Sequence, residues 1–182
     1  TDKEYKTFIG VSNKDCWKKL KEKHNIEQTI TELVERQENK NIKHLQNNQQ
    51  EPIKGVKPLL EILKRENIEI GLASSSPERY IEAVLKKLGI MNFFKEIVSG
   101  ARMEKGKPHP DIFLAIMDKL KFKPDECVVI EDSENGVLAA KAGGLKCIGY
   151  INPNSGNQNL SKADITVTSI EDIDIEMLDK II

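Results

Sequence analysis

The segment 127–136, Cys-Val-Val-Ile-Glu-Asp-Ser-Glu-Asn-Gly, constrains the fold more than any other part of the chain. Its apolar and β-branched run reads as a strand buried on both faces, and the Ser-Glu-Asn-Gly that follows opens a helix. Such a strand belongs to a mostly parallel sheet covered by helices, where ligands lie outside the carboxyl ends of the strands. Glu131 and Asp132 stand at that end. Adjacent carboxylates suit Mg2+, which is usually held by one or two acidic side chains plus substrate phosphate. The same residues also read as an ordinary helix start, with Asp132 or Ser133 capping a helix to about Gly143. On this stretch alone the two readings are level.

The chain from Glu51 onward repeats the same alternation, after Pro52 and Gly55 punctuate it. Leu59, Leu60 and Leu63 line a helix, residues 68–73 form a strand, and Pro77 opens a helix that runs to Leu88 and stops at Gly89. A strand over 96–99, a helix over 111–120, strands over 146–150 and 164–167, and a terminal helix carrying Ile175, Leu178 and Ile181 follow. The expected class is α/β.

The first fifty residues carry helical periodicity only. Ser12-Asn13-Lys14-Asp15 is a capping signal ahead of Trp17 and Leu20, and a second pattern runs through Ile30, Leu33 and Val34 toward Leu45. Its apolar seam is lean, so this segment needs another body to rest on. The predicted division is a helical cap over 1–50, ending in the polar run Gln46–Gln50, and a sheet-bearing core over 51–182.

Charge and composition exclude several classes. A net charge of -1 from 28 basic and 29 acidic residues gives no field for nucleic acid or an anionic membrane, and no apolar run has the length of a membrane span. The chain reads as cytoplasmic and monomeric. Cys16, Cys127 and Cys147 lack metal-type spacing and read as structural thiols without a disulfide.

Two more features fall at the predicted strand ends. The strand over 68–73 ends in Ser74, Ser75 and Ser76 before a helix whose N-terminal amides favour an anion, although serines there are more often plain caps. In Gly106-Lys107-Pro108-His109-Pro110, the prolines hold Lys107 on an extended loop, where its ammonium can meet a carboxylate or a phosphate. The competing reading is a solvated loop lysine. His109 reads as a surface histidine without a partner.

Ser74 after a strand, Lys107 in Gly-Lys-Pro-His-Pro-Asp, and Glu131-Asp132 after another strand, together with Gly10-Val11-Ser12, resemble the haloacid dehalogenase-like hydrolases, in particular their β-phosphoglucomutase-like branch with a helical cap. The resemblance implies a Rossmann-like core, a Mg2+ cofactor and phosphoryl transfer through an aspartyl-phosphate. It makes Lys107 and Ser74 the phosphate-holding catalytic residues, Glu131 and Asp132 the metal ligands, and Ser75, Ser76 and Asn13 the substrate contacts. A cap over the strand ends excludes water during transfer and readmits it for hydrolysis.

The departures shape the expectation further. That family carries its nucleophile in a D-x-D pair on a first, central strand, which these residues do not contain; Asp172-Ile173-Asp174 matches in spelling only and opens the last helix. The expectation is an N-terminal segment outside these residues, two strands left unpaired in mid-sheet, and no turnover by the 182 residues alone. Where the mutases of this branch place a cap arginine and a Lys-Asn, this chain has Asn13 and Pro77-Glu78, with Arg79 and Arg102 as possible substitutes. The favoured activity is a phosphatase acting on a small phosphorylated metabolite such as a sugar phosphate. The alternatives are a phosphosugar mutase and a catalytically dead binding protein; a flavodoxin-type signalling domain is weaker, since it needs no helical insert.

Overall fold

The structure is a computed structural model and describes residues 8–182. Two helices come first, α1 (Asn13–His24) and α2 (Ile30–Asn47). Local chemistry sets their ends. Ser12 accepts from the Asp15 amide at 3.2 Å, Thr29 and Glu32 form a reciprocal capping box, and Lys21 Nζ donates to the carbonyls of Ile26 and Gln28 beyond α1. The lean seam is real: α1 has no buried residue and α2 buries only Leu33 and Leu45. Trp17 ties the pair together through its indole N–H, 2.6 Å from Gln37 Oε1.

The sheet-bearing part begins with α3 (Val56–Arg65) and continues with β1 (Gly71–Ser74), α4 (Glu78–Lys87), β2 (Glu96–Ser99), α5 (Asp111–Leu120), β3 (Val128–Glu131), α6 (Glu134–Ala142), β4 (Lys146–Tyr150), β5 (Ile165–Val167) and α7 (Ile175–Ile181). Every ladder is parallel, as alternation with crossover helices requires. The strands fall into two pieces, β1-β2 and β3-β4-β5. One edge each of β1 and β3 has no strand partner among the described residues. The expected strand over 68–73 is accordingly shorter and later: Asn67 turns the chain at φ 58°, and pairing with β2 starts only at Gly71. Likewise β3 shows Ile130 at 38% exposure, which a strand covered on both sides would not.

Both pieces nevertheless share their covering layers. On one face α5 and α6 place Phe113, Ile116, Val137 and Ala140 against Ala73, Val98, Val129 and Cys147. On the other, α3 and α7 pack Leu59, Leu63, Leu178 and Ile181 against Ile70, Val128, Ile148 and Val167, while α4 covers Leu72 and Ile97. Fully burying one such side chain contributes about 1.5–3 kcal/mol, so these layers hold the two pieces in one α/β sandwich. The cysteines are free thiols, and burial pushes Cys16 up to about 11 and Cys147 up to about 12, which makes them inert. No helix among the described residues is long and apolar enough to cross a membrane.

Candidate active site

The carboxyl ends of β1 and β3 bring the sequence-predicted residues to one place. Lys107 is buried, and its ammonium bonds Glu131 Oε1 while lying 3.5 Å from the Ala73 carbonyl and 4.8 Å from the centroid of the Phe113 ring. It therefore bridges β3 and β1 at their unpaired edges. The solvated-loop reading of Lys107 is excluded. A lysine buried to this degree needs a paired carboxylate, and Glu131, itself 11% exposed, supplies it.

Glu131 is held from both sides. Its Oε2 accepts from the Ser133 hydroxyl at 3.0 Å, and Ser133 also accepts from the Gly136 amide at 3.0 Å, capping α6. Ser133 thus caps the helix, as the helix-start reading expects, while Asp132 does not. Gly136 is needed for space: a Cβ there would stand 2.0 Å from Glu131 Oε2. The spacing of Gly136 from Glu131 was visible in the sequence, but its reason was not.

Asp132 faces another way. Its Oδ2 accepts from Asn152 Nδ2 at 2.7 Å and from Ser155 Oγ at 2.5 Å, and Oδ1 takes no hydrogen bond among the described residues. No group of three or more His, Cys, Asp or Glu that could ligate a metal exists among the described residues. A hard carboxylate oxygen without a hydrogen bond among the described residues, next in sequence to a second carboxylate, nonetheless matches how Mg2+ is held, since that ion takes few protein ligands and completes its shell with water and phosphate. The donor chemistry fits.

The serines divide their work. Ser74 Oγ accepts from the Ser76 amide at 3.2 Å and donates no hydrogen bond among the described residues, which leaves its proton for a further acceptor. Ser75 instead donates to the Gly10 carbonyl at 3.1 Å and ties the helical segment to the core. Ser76 accepts at its carbonyl from Ser99 Oγ at 2.6 Å. Asn13 sits half-buried at the first position of α1.

The helical segment meets the site through Gly10. Its φ is +79°, and a Cβ would come 2.6 Å from Ser133 Oγ, so only glycine lets the chain pass this close to the Glu131 turn. Asn135 Nδ2 donates to the Ile9 carbonyl at 3.4 Å, and Asp15 packs against Gly106, the neighbour of Lys107.

Three sequence readings are corrected or refined. His109 has a neighbour after all, its Nδ1 lying 2.8 Å from Asp111 Oδ1 though without hydrogen-bond alignment. Arg79 does not turn to the strand ends; it pairs with Glu38 at 3.3 Å and bonds Asn39 on α2, while Arg102 is exposed. Asp174 accepts from the Met177 amide at 2.8 Å as the cap of α7, consistent with a purely structural D-x-D.

A family model described as haloacid dehalogenase-like hydrolase matches residues 1–150. The chain is 40% identical over 124 residues to a beta-phosphoglucomutase of Bacillus subtilis, covering 68% of this chain and 52% of that protein. It is 35% identical over 121 residues to a phosphorylated carbohydrates phosphatase of Thermotoga maritima, covering 65% and 56%. The chain thus spans about half the length of the curated relatives it matches. Among solved structures, a beta-phosphoglucomutase from Clostridium difficile superimposes with a TM-score of 0.83 at 27% identity, over 99% of this chain and 81% of that one.

Proposed function

The chain belongs to the haloacid dehalogenase-like hydrolases, and from that premise we propose that the whole protein is a Mg2+-dependent phosphatase that hydrolyses a small phosphorylated metabolite of the sugar phosphate class. The observation that carries this reading is the buried Lys107–Glu131 pair at the unpaired edges of β1 and β3, with Ser74 and Asp132 beside it. A nucleophilic carboxylate is proposed on a strand that fills those edges, outside the described residues. In that arrangement Lys107 neutralises charge on the transferring phosphoryl group, and Ser74 donates its free hydroxyl proton to a phosphoryl oxygen. The amides that open α4 favour the same anion. Residues 1–50 serve as the cap over the core at 51–182, with Gly10 and Asn13 at its approach to the site.

Asp132, through Oδ1, and Glu131 would hold Mg2+. When bound, the ion supplies positive charge that stabilises the transferring phosphate. The phosphatase reading is favoured over the mutase by the fate of the cations: Arg79 is committed to Glu38 and Asn39, and Asn13 is neutral. A mutase must clamp a second, non-reacting phosphate, and a neutral amide is a poor clamp. The mutase reading keeps the 40% identity in its favour.

The test is a screen of sugar monophosphates with the full-length protein and Mg2+, reading released phosphate beside conversion of one sugar phosphate into another. Phosphate release that vanishes in Asp132→Ala, with the variant still folded, is the expected result. Isomerisation without release would establish the mutase instead, and undiminished release by Asp132→Ala would refute the metal assignment.

A further inference from the structure

We infer that the loop joining β4 to β5 is a positioning element for the metal end of the site, in which Asn152 and Ser155 fix the Asp132 carboxylate so that a single oxygen faces the cation; this rests on reading Asp132 as a metal ligand. The loop leaves β4 at Tyr150 and folds back immediately. The Asn154 amide donates to Asn152 Oδ1 at 3.0 Å and the Ser155 amide to the Asn152 carbonyl at 3.1 Å, a tight turn followed by Gly156. This turn carries the Asn152 amide and the buried Ser155 hydroxyl to one carboxylate oxygen, Asp132 Oδ2.

The arithmetic of donors and acceptors gives the consequence. A carboxylate oxygen offers two lone pairs, and Oδ2 receives two donors, so it is filled. Oδ1 is open. The χ2 torsion of an aspartate is broad, and two donors on one oxygen remove that freedom before any ion arrives. Neither donor carries an ionisable group. Gln158 extends the bracing: its Nε2 donates to the Ser155 carbonyl at 2.9 Å, and its Oε1 accepts from the Glu134 amide at 3.1 Å, tying the loop to the first turn of α6. The loop therefore grips both the carboxylate and the helix that follows it.

Groups that orient a metal ligand typically change affinity by about 10–100-fold when removed. The experiment is a Mn2+ titration of the full-length protein followed by electron paramagnetic resonance, with Mg2+ half-saturation of turnover measured alongside. Ser155→Ala and Asn152→Ala are each expected to weaken Mn2+ about tenfold and to raise the Mg2+ requirement while kcat at saturating Mg2+ is retained. The control is Asn159→Ala, an exposed residue of the same loop whose Oδ1 accepts from the Ser161 amide at 3.2 Å. It should leave Mn2+ affinity unchanged. Equal weakening in Asn159→Ala would overturn the inference, because loop integrity and not the Asp132 contacts would then be responsible. Wild-type affinity in Ser155→Ala and Asn152→Ala, with affinity lost in Asp132→Asn, would overturn it while leaving the metal reading intact. Wild-type affinity in Asp132→Asn would remove both.

Discussion

The helical segment and the sheet-bearing part are held by different forces. In α1 and α2 only Leu33 and Leu45 are buried, and the ties to the rest of the molecule include Ser75 to Gly10, Asn135 to Ile9, and Arg79 to Glu38 and Asn39. A typical hydrogen bond is worth about 0.5–1.5 kcal/mol net, and exposed ion pairs less. In the sheet-bearing part, by contrast, side chains such as Val137 on α6 and Cys147 and Ile148 on β4 are wholly buried between layers. The difference teaches that the core fixes where Lys107, Glu131 and Asp132 stand, whereas the seat of the helical segment above them rests on contacts a single substitution can shift.

The sharpest way to test this contrast is to damage the core. Ile148→Ala, in the middle of β4, should cost about 2–5 kcal/mol, because the cavity left between α3 and β4 cannot collapse fully. Denaturant unfolding should show a lower midpoint with one cooperative transition. A loss under about 1 kcal/mol would mean that this layer is less tightly packed than its burial indicates.

A smaller effect is expected at the join between β4 and β5. Asp164 accepts from the Cys147 amide at 2.8 Å and pairs with Lys141 at 2.6 Å. Burial pushes its carboxyl up, but the Lys141 ammonium and the Cys147 amide outweigh that and hold it below the usual carboxylate range. A depressed native value means that its stabilisation is full above the unfolded value near 3.9 and is lost as pH falls through the native one. Asp164→Ala should therefore cost about 1–2 kcal/mol at pH 7 and progressively less below about pH 4. A wild-type-to-variant gap that stays constant down to pH 2 would show that the charge is not what Asp164 contributes.

The smallest expected change is the most informative about the helical segment. Arg79→Ala should lower global stability by less than about 1 kcal/mol, since the arginine is 61% exposed. Amide exchange along α2 should nevertheless accelerate while that of β4 stays unchanged. Equal acceleration in both would break the comparison, because the two parts would then open as one unit.

The sequence placed residues at the strand ends where the signal was local. The apolar run 127–130 and the turn after it placed Glu131 and Asp132 at a strand end, and Pro108 with Pro110 placed Lys107 on an extended loop near the strand ends. What the sequence could not decide was which partner each group takes. Glu131 meets Lys107 from 24 residues away, and Asp132 meets Asn152 and Ser155 from 20 and 23 residues away. Parallel crossovers create these encounters, and nothing in the local pattern of a polar loop such as 151–159 announces them. Arg79 shows the same limit in reverse: the sequence offered it as a possible substitute for the mutases' cations without placing it, and tertiary contact gave it to Glu38.

The sequence by itself determined the elements, their parallel arrangement and the residue types gathered at the strand ends, because hydrophobic period, capping and turn chemistry act within a few residues. Only the tertiary structure decided that Lys107 is buried against Glu131, that Gly136 makes room for that carboxylate, and that Asp132 gives one oxygen to Asn152 and Ser155. Those outcomes depend on distances between segments far apart in the chain, and such distances are set by how the layers pack.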